Sequence, residues 1–107
     1  MKKKNEEPKP KDVAGKARVE LVPPEFVEDV SRVLAHGAAK YSENDWRKGY
    51  PWMQIYAATI RHLYAWAKGE DTDKESGLPH LAHAATNIAF LLTWSKTKKE
   101  LDNRPKV

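Results

Sequence analysis

Apolar residues recur along this chain at the three- and four-residue spacing of helix faces, and no alternating strand pattern or internal repeat competes with it. Phe26, Val27, Val30, Val33, Leu34, Ala38 and Tyr41 form one such face. Pro24 suits the first turn, where a missing N–H costs nothing, so the pattern predicts a first helix over 24–41. Gly37 falls on this face and reads either as a point of close backbone approach or as a tolerated helix glycine. The stretch from Ser42 to Pro51, with Asn44, Asp45 and Gly49, reads as a loop. From Trp52 to Lys68 apolar residues occupy more than one side, the pattern of a helix buried between neighbours, and Gly69 is its expected stop. Ser76 with Pro79 reads as the entrance to a third helix, whose stripe is Leu78, Leu81, Ala85, Ile88 and Leu92 and which fades after Lys96. The expected fold is all-α, a small bundle of three to four helices. Trp66 and Trp94 look exposed on such a bundle, so completion by a homo-oligomer is expected, unless the leader or tail covers them.

Composition sharpens this outline. The chain has 107 residues and no cysteine, which excludes a disulfide framework, a thiolate zinc site and a thiol nucleophile. Its net charge of +4 invites a nucleic-acid reading. That surplus, however, belongs to residues 1–18, with seven basic and three acidic side chains, whereas residues 19–95 carry seven basic against ten acidic. A folded face that is mildly acidic argues against nucleic acid as a partner. Residues 1–17 therefore read as a disordered basic leader, 18–97 as the helical domain and 98–107 as a charged tail. No apolar run is long enough to span a membrane and no secretory leader is evident, which makes a cytoplasmic protein the expectation.

Three groups of residues could carry chemistry. Glu70, Asp71, Asp73 and Glu75 place four carboxylates in six positions at a helix junction, either a divalent-cation site or a solvated loop. A calcium loop does not fit, because its glycine position is Ser76 and its closing glutamate position is Ala82. His80 and His83, with Asn87 four residues further on, share one helical stripe and would add imidazole and amide donors to a mixed site for Mg²⁺, Mn²⁺ or Zn²⁺. An HD-type phosphohydrolase would need an adjacent His-Asp pair, which the sequence lacks. Arg61-His62 interrupts the apolar second helix, and a guanidinium buried there would need either an internal carboxylate or a phosphate. Finally, Lys40-Tyr41 and Asn44-x-Trp46 offer a cation, an amide and two aromatic faces around a helix end.

Taken in order, Gly37-Ala38-Ala39-Lys40-Tyr41-x-x-Asn44-x-Trp46, Arg61-His62-Leu63, Gly69-Glu70-x-x-Asp73-x-Glu75-Ser76-Gly77 and His80-Leu81-x-His83-Ala84 resemble the phage and prophage family of dATP/dGTP diphosphohydrolase N-terminal domains. The resemblance runs from about Arg18 to Leu92. It implies a relationship to the MazG-like all-α nucleoside triphosphate pyrophosphohydrolases, which hold Mg²⁺ with an E-E-x-x-E helix and a later E-x-x-D helix. Glu70-x-x-Asp73 has the second spacing, but no E-E-x-x-E is present, so either histidines replace some carboxylates or the relationship to those enzymes is a looser one.

The resemblance implies metal-dependent hydrolysis of purine deoxynucleoside triphosphates to the monophosphate and pyrophosphate, in phage nucleotide metabolism within the host cytoplasm. Mg²⁺ is the expected ion, with Mn²⁺ as its substitute. The expected metal ligands are Glu70, Asp73, His80 and His83. Glu75 and His83 are the expected catalytic groups, and Lys40, Tyr41, Asn44, Trp46, Arg61 and His62 the substrate contacts. The competing reading is a non-catalytic helical module that binds nucleotide or another protein, which the missing acidic signature favours.

Overall fold

The computed structural model describes residues 15–106. Most of the leader expected at 1–17 lies outside that range. Three α-helices follow one another, α1 (Pro24–Lys40), α2 (Trp52–Ala67) and α3 (His80–Thr97), with short 3-10 turns at Val19–Leu21, Asp45–Lys48 and Lys99–Leu101. The fold is all-α, and each helix lies within a residue or so of its predicted span. Among the described residues the only β pairing is an isolated bridge between Thr72 and Pro79. No described helix is long and apolar enough to cross a membrane.

Each helix starts behind a proline. Pro23, Pro51 and Pro79 hold the N-cap positions with φ near −55° and extended ψ, and no side chain caps any of the three. The rigid extended residue sets the direction of the chain and the helix begins at the next position. Ser76, read from the sequence as marking the entrance to the third helix, does not cap it.

Both other helices pack on α3. Small residues on α3 allow the approach: Ala82 and Ala84 are buried, as is Thr86, whose hydroxyl donates to the Ala82 carbonyl one turn back at 2.8 Å. Thr59 on α2 does the same with the Ile55 carbonyl. The helix expected to be buried between neighbours is instead covered along one face. Only Trp52 and Thr59 of α2 are buried, while Tyr56, Ile60, Tyr64 and Trp66 are exposed, because α3 is the one long element packed along it.

Trp94 reverses its expectation as well. It is completely buried within the single chain, at 0% exposure. The loop after α1 provides the cover: Trp46 stacks on Phe90 with ring centroids 4.7 Å apart, Phe90 stacks on Trp94, and Tyr50 meets Trp94 edge-on. The indole N–H of Trp94 donates to the Trp46 carbonyl at 3.1 Å.

The residues after Thr97 also pack inward. Asn103 Oδ1 accepts the Met53 N–H at 2.9 Å, and the Arg104 guanidinium lies over the Trp52 ring. Leu101 sits so close to Gly49 that an added Cβ there would stand 2.5 Å from its Cδ1, and Gly49 has φ +87°, so glycine is required twice over.

Candidate functional site at the α2–α3 junction

The connection between α2 and α3 owes its shape to hydrogen bonds rather than to apolar burial. At the end of α2 the Glu70 N–H donates to the Ala65 carbonyl and the Gly69 N–H to the Trp66 carbonyl, the paired bonds of a Schellman termination, with Gly69 at φ +104°. This fixes Glu70 directly beyond the helix. The loop then closes on itself: Asp73 N–H donates to the Leu78 carbonyl at 2.8 Å, Gly77 N–H to the Asp73 carbonyl at 2.7 Å, and His80 N–H to the Asp71 carbonyl at 2.9 Å. Asp73 Oδ2 accepts the Ser76 N–H, and Ser76 Oγ accepts the Leu78 N–H while meeting His83 Nε2 at 2.7 Å.

Onto this frame the two helices bring three imidazoles. His62 Nδ1 and His80 Nδ1 lie 2.9 Å apart, and His80 Nε2 lies 3.1 Å from Glu70 Oε1. His62 and His83 stack nearly parallel, with an interplanar angle of 6° and centroids 4.7 Å apart. One ligand atom from each of His62, Asp73 and His80 falls within 4.8 Å of the others, a spacing that can hold a metal ion.

The electrostatics favour the neutral forms of His62 and His83 beside an ionised Asp73. Burial, and then the neighbouring His83 and His80, push His62 below the ordinary histidine value. Burial lowers His83 too, against the opposing pull of Asp73. Burial alone would raise Asp73, but hydrogen bonding from Ser76 and the nearby imidazoles hold it below the usual carboxylate value.

His83 also faces a second feature. A groove of about 510 Å³ between α1, the following loop and α3 is lined by His36, Tyr41, Asn44, Trp46, His83 and Phe90 among others. The structure thus gathers Tyr41, Asn44 and Trp46 as the sequence grouped them, and connects them through His83 to the imidazole cluster. Asn44 sits at φ 62°, the left-handed conformation that asparagine tolerates.

The remaining expected residues are distributed differently. Lys40 Nζ donates to Glu75 Oε2 at 2.7 Å, an exposed pair that ties α1 to the junction loop, and each partner shifts the other toward its charged form. Arg61 is exposed and takes part in none of the ion pairs among the described residues, so the buried guanidinium expected in the second helix is absent. His62, grouped with Arg61 as a substrate contact, instead joins the potential metal ligands. The sequence reading gave neither His36 nor Ser76 a part in the site. His36 lies off the apolar stripe of the first helix, and the contact of Ser76 with His83 depends on how the loop closes, so neither had a local signal.

An all-α module with imidazoles and carboxylates converging beside a groove is the class of protein that this fold and site define. Over residues 6–104 the chain matches the family model described as dATP/dGTP diphosphohydrolase, N-terminal, and it belongs to that family. It is 41% identical over 91 residues to a protein of Salmonella phage PMBT28 named dATP/dGTP diphosphohydrolase, a match covering 85% of this chain and 29% of the phage protein. The chain therefore spans less than a third of that relative. No solved structure matches it.

Proposed function

We propose that this chain hydrolyses purine deoxynucleoside triphosphates, dATP or dGTP, to the monophosphate and pyrophosphate with the help of a divalent ion. The observation that carries this reading is the continuity of the 510 Å³ groove with the imidazole–carboxylate cluster through His83. The groove is large enough for a base and sugar, the exposed Tyr41 offers an aromatic face, Trp46 lines the wall while stacked on Phe90 and covered by the Arg47 guanidinium, and Asn44 offers an amide for a base edge. The name of the phage relative supports the substrate class.

The donor set at the junction fits a dication, with His62, Asp73 and His80 as ligands and Glu70 orienting His80. Such an ion, Mg²⁺ or Mn²⁺ on the family resemblance, supplies positive charge to the triphosphate and acidifies water. In the reaction, water oxygen bonds to the α-phosphorus, the bond to the bridging oxygen breaks and pyrophosphate departs. His83 suits the proton acceptor, because it is neutral at neutral pH and stands between groove and cluster. Its Nε2 now meets Ser76 Oγ, so the hydroxyl must yield or relay the proton. Glu75 is a weaker choice for this role, since Lys40 engages its Oε2 in solvent. Arg61 is exposed and outside the ion pairs of the described residues, so it can meet phosphate oxygens, whereas Lys40 must first leave Glu75.

The test is to incubate the protein with each deoxynucleoside triphosphate and Mg²⁺ or Mn²⁺ and to measure pyrophosphate. Release from dATP or dGTP, lost on chelation, is expected. Nucleotide binding without pyrophosphate would replace this reading with the non-catalytic module, which one observation favours: the match covers only 29% of the phage relative.

A further inference from the structure

We propose that His62 Nδ1, the Asp73 carboxylate and His80 Nδ1 form a binding site for a first-row transition dication, which the protein takes up without nucleotide and in preference to Mg²⁺. The inference deepens the hydrolase reading and rests on it only for the use to which the ion is put.

The geometry is that of ligands awaiting a shared ion. Two nitrogens bound at right angles to one metal, with bonds of about 2.1 Å, stand about 3 Å apart. His62 Nδ1 and His80 Nδ1 are 2.9 Å apart, and one nitrogen of each ring lies within 4.8 Å of an Asp73 carboxylate oxygen. These residues come from α2, the junction loop and α3, so their convergence is a product of the tertiary fold.

Tautomers follow from the neighbours. A carboxylate can only accept, so the contact with Glu70 places a hydrogen on His80 Nε2 and leaves a lone pair on Nδ1. This is the carboxylate–histidine arrangement that orients metal-bound imidazoles. Only one hydrogen can lie between the two Nδ1 atoms, so in the metal-free state His62 donates it to His80; shifting it to His62 Nε2 frees the second nitrogen. Burial of His62 already favours the neutral ring that binding requires. Asp73 accepts the Ser76 N–H through Oδ2 and keeps its other oxygen for a metal. His83 stacks on His62 but directs Nε2 to Ser76, which makes it a neighbour of the site rather than a ligand.

The donor types decide the ion. Mg²⁺ prefers an octahedron of oxygens and gives up water reluctantly, whereas two imidazoles and one carboxylate suit Mn²⁺, Fe²⁺, Co²⁺ or Zn²⁺. Three protein ligands also leave positions open for water or a phosphate oxygen, the arrangement of a catalytic rather than a structural centre.

The experiment titrates chelator-treated full-length protein with Co²⁺ and follows visible absorption, then challenges the complex with Zn²⁺ and with Mg²⁺. A saturable band at one Co²⁺ per chain is expected, displaced by Zn²⁺ and not by a large excess of Mg²⁺. His62→Gln and Asp73→Asn should abolish the band in protein whose circular dichroism is unchanged. Glu70→Gln should retain the band with affinity lowered about 10- to 100-fold, because it removes the orienting partner only. The absence of Co²⁺ binding in folded protein, equal displacement by Mg²⁺, or binding unaltered in both His62→Gln and Asp73→Asn would overturn the proposal. The two readings fail separately: Mg²⁺-dependent pyrophosphate release without Co²⁺ binding overturns this site and leaves the hydrolase, and Co²⁺ binding without pyrophosphate release does the reverse.

Discussion

Where α2 begins and α3 ends, Trp46, Phe90 and Trp94 stack in series, one indole N–H finds a backbone carbonyl, and the residues after Thr97 close over Trp52. At the opposite end of the same helical hairpin, His62, His80 and His83 crowd together against two carboxylates. The aromatic end removes apolar surface from water and satisfies the buried donor of Trp94, which favours folding, although the buried indole N–H of Trp52 has no partner among the described residues. The imidazole end concentrates polar groups that water would solvate equally well, and burial there lowers the proton affinity of two rings. One end therefore supports the other: the stacked rings hold the helices in the register that the polar cluster needs.

The sharpest way to break this contrast is Trp94→Ala. It empties the most buried site among the described residues and should cost about 3–5 kcal/mol, read from denaturant unfolding, with any metal binding lost only as the fold is lost. Asp73→Asn should do the opposite. An amide keeps an acceptor for the Ser76 N–H, so melting should change little, while nucleotide turnover should fall by about 100-fold or more with the loss of a charged ligand. Equal damage to stability and turnover in both variants would erase the distinction between the ends.

Acidification through the histidine range should act on the imidazole end. Folded His62 and His83 titrate below the ordinary value of 6.5, so beneath that pH the unfolded chain binds protons that the folded chain refuses. Stability of the metal-free protein should therefore fall as pH drops through this value toward the depressed folded ones, and His83→Gln should blunt the fall. A melting temperature independent of pH across that window would contradict it. The smallest effect belongs to the Lys40–Glu75 clasp, whose partners are both exposed. Lys40→Met should leave melting unchanged within error, because solvent-exposed pairs contribute little. A clear loss would show that the clasp fixes the junction loop against α1.

The two ends also differed in how much the sequence revealed. Helix spans were legible because apolar spacing and the prolines at positions 23, 51 and 79 are local signals. His80 and His83 could be grouped for the same reason, one helix and one stripe. His62 could not be joined to them from spacing, since its approach to His80 depends on the register of α2 against α3. Pairing it with Arg61 misled, because consecutive helical residues point about 100° apart. Trp94 looked exposed because its cover comes from Trp46 and Tyr50, more than forty positions away. Lys40 and Glu75 meet across 35 positions, and charge patterning within either segment gives no sign of it.

The hairpin carries one more consequence. Every proposed ligand, its orienting carboxylate and the adjacent His83 fall between positions 62 and 83, within a single helix–loop–helix. Closing so short a stretch of chain costs little entropy, so these groups come together as soon as α2 and α3 pair. The groove wall from α1 and the loop carrying Asn44 and Trp46 arrives from a separate segment. On the proposed reading, the groups that would act on a substrate and those that would select it lie in different segments, and substitutions before position 50 should change which nucleotide is held while leaving His62, Asp73 and His80 in place.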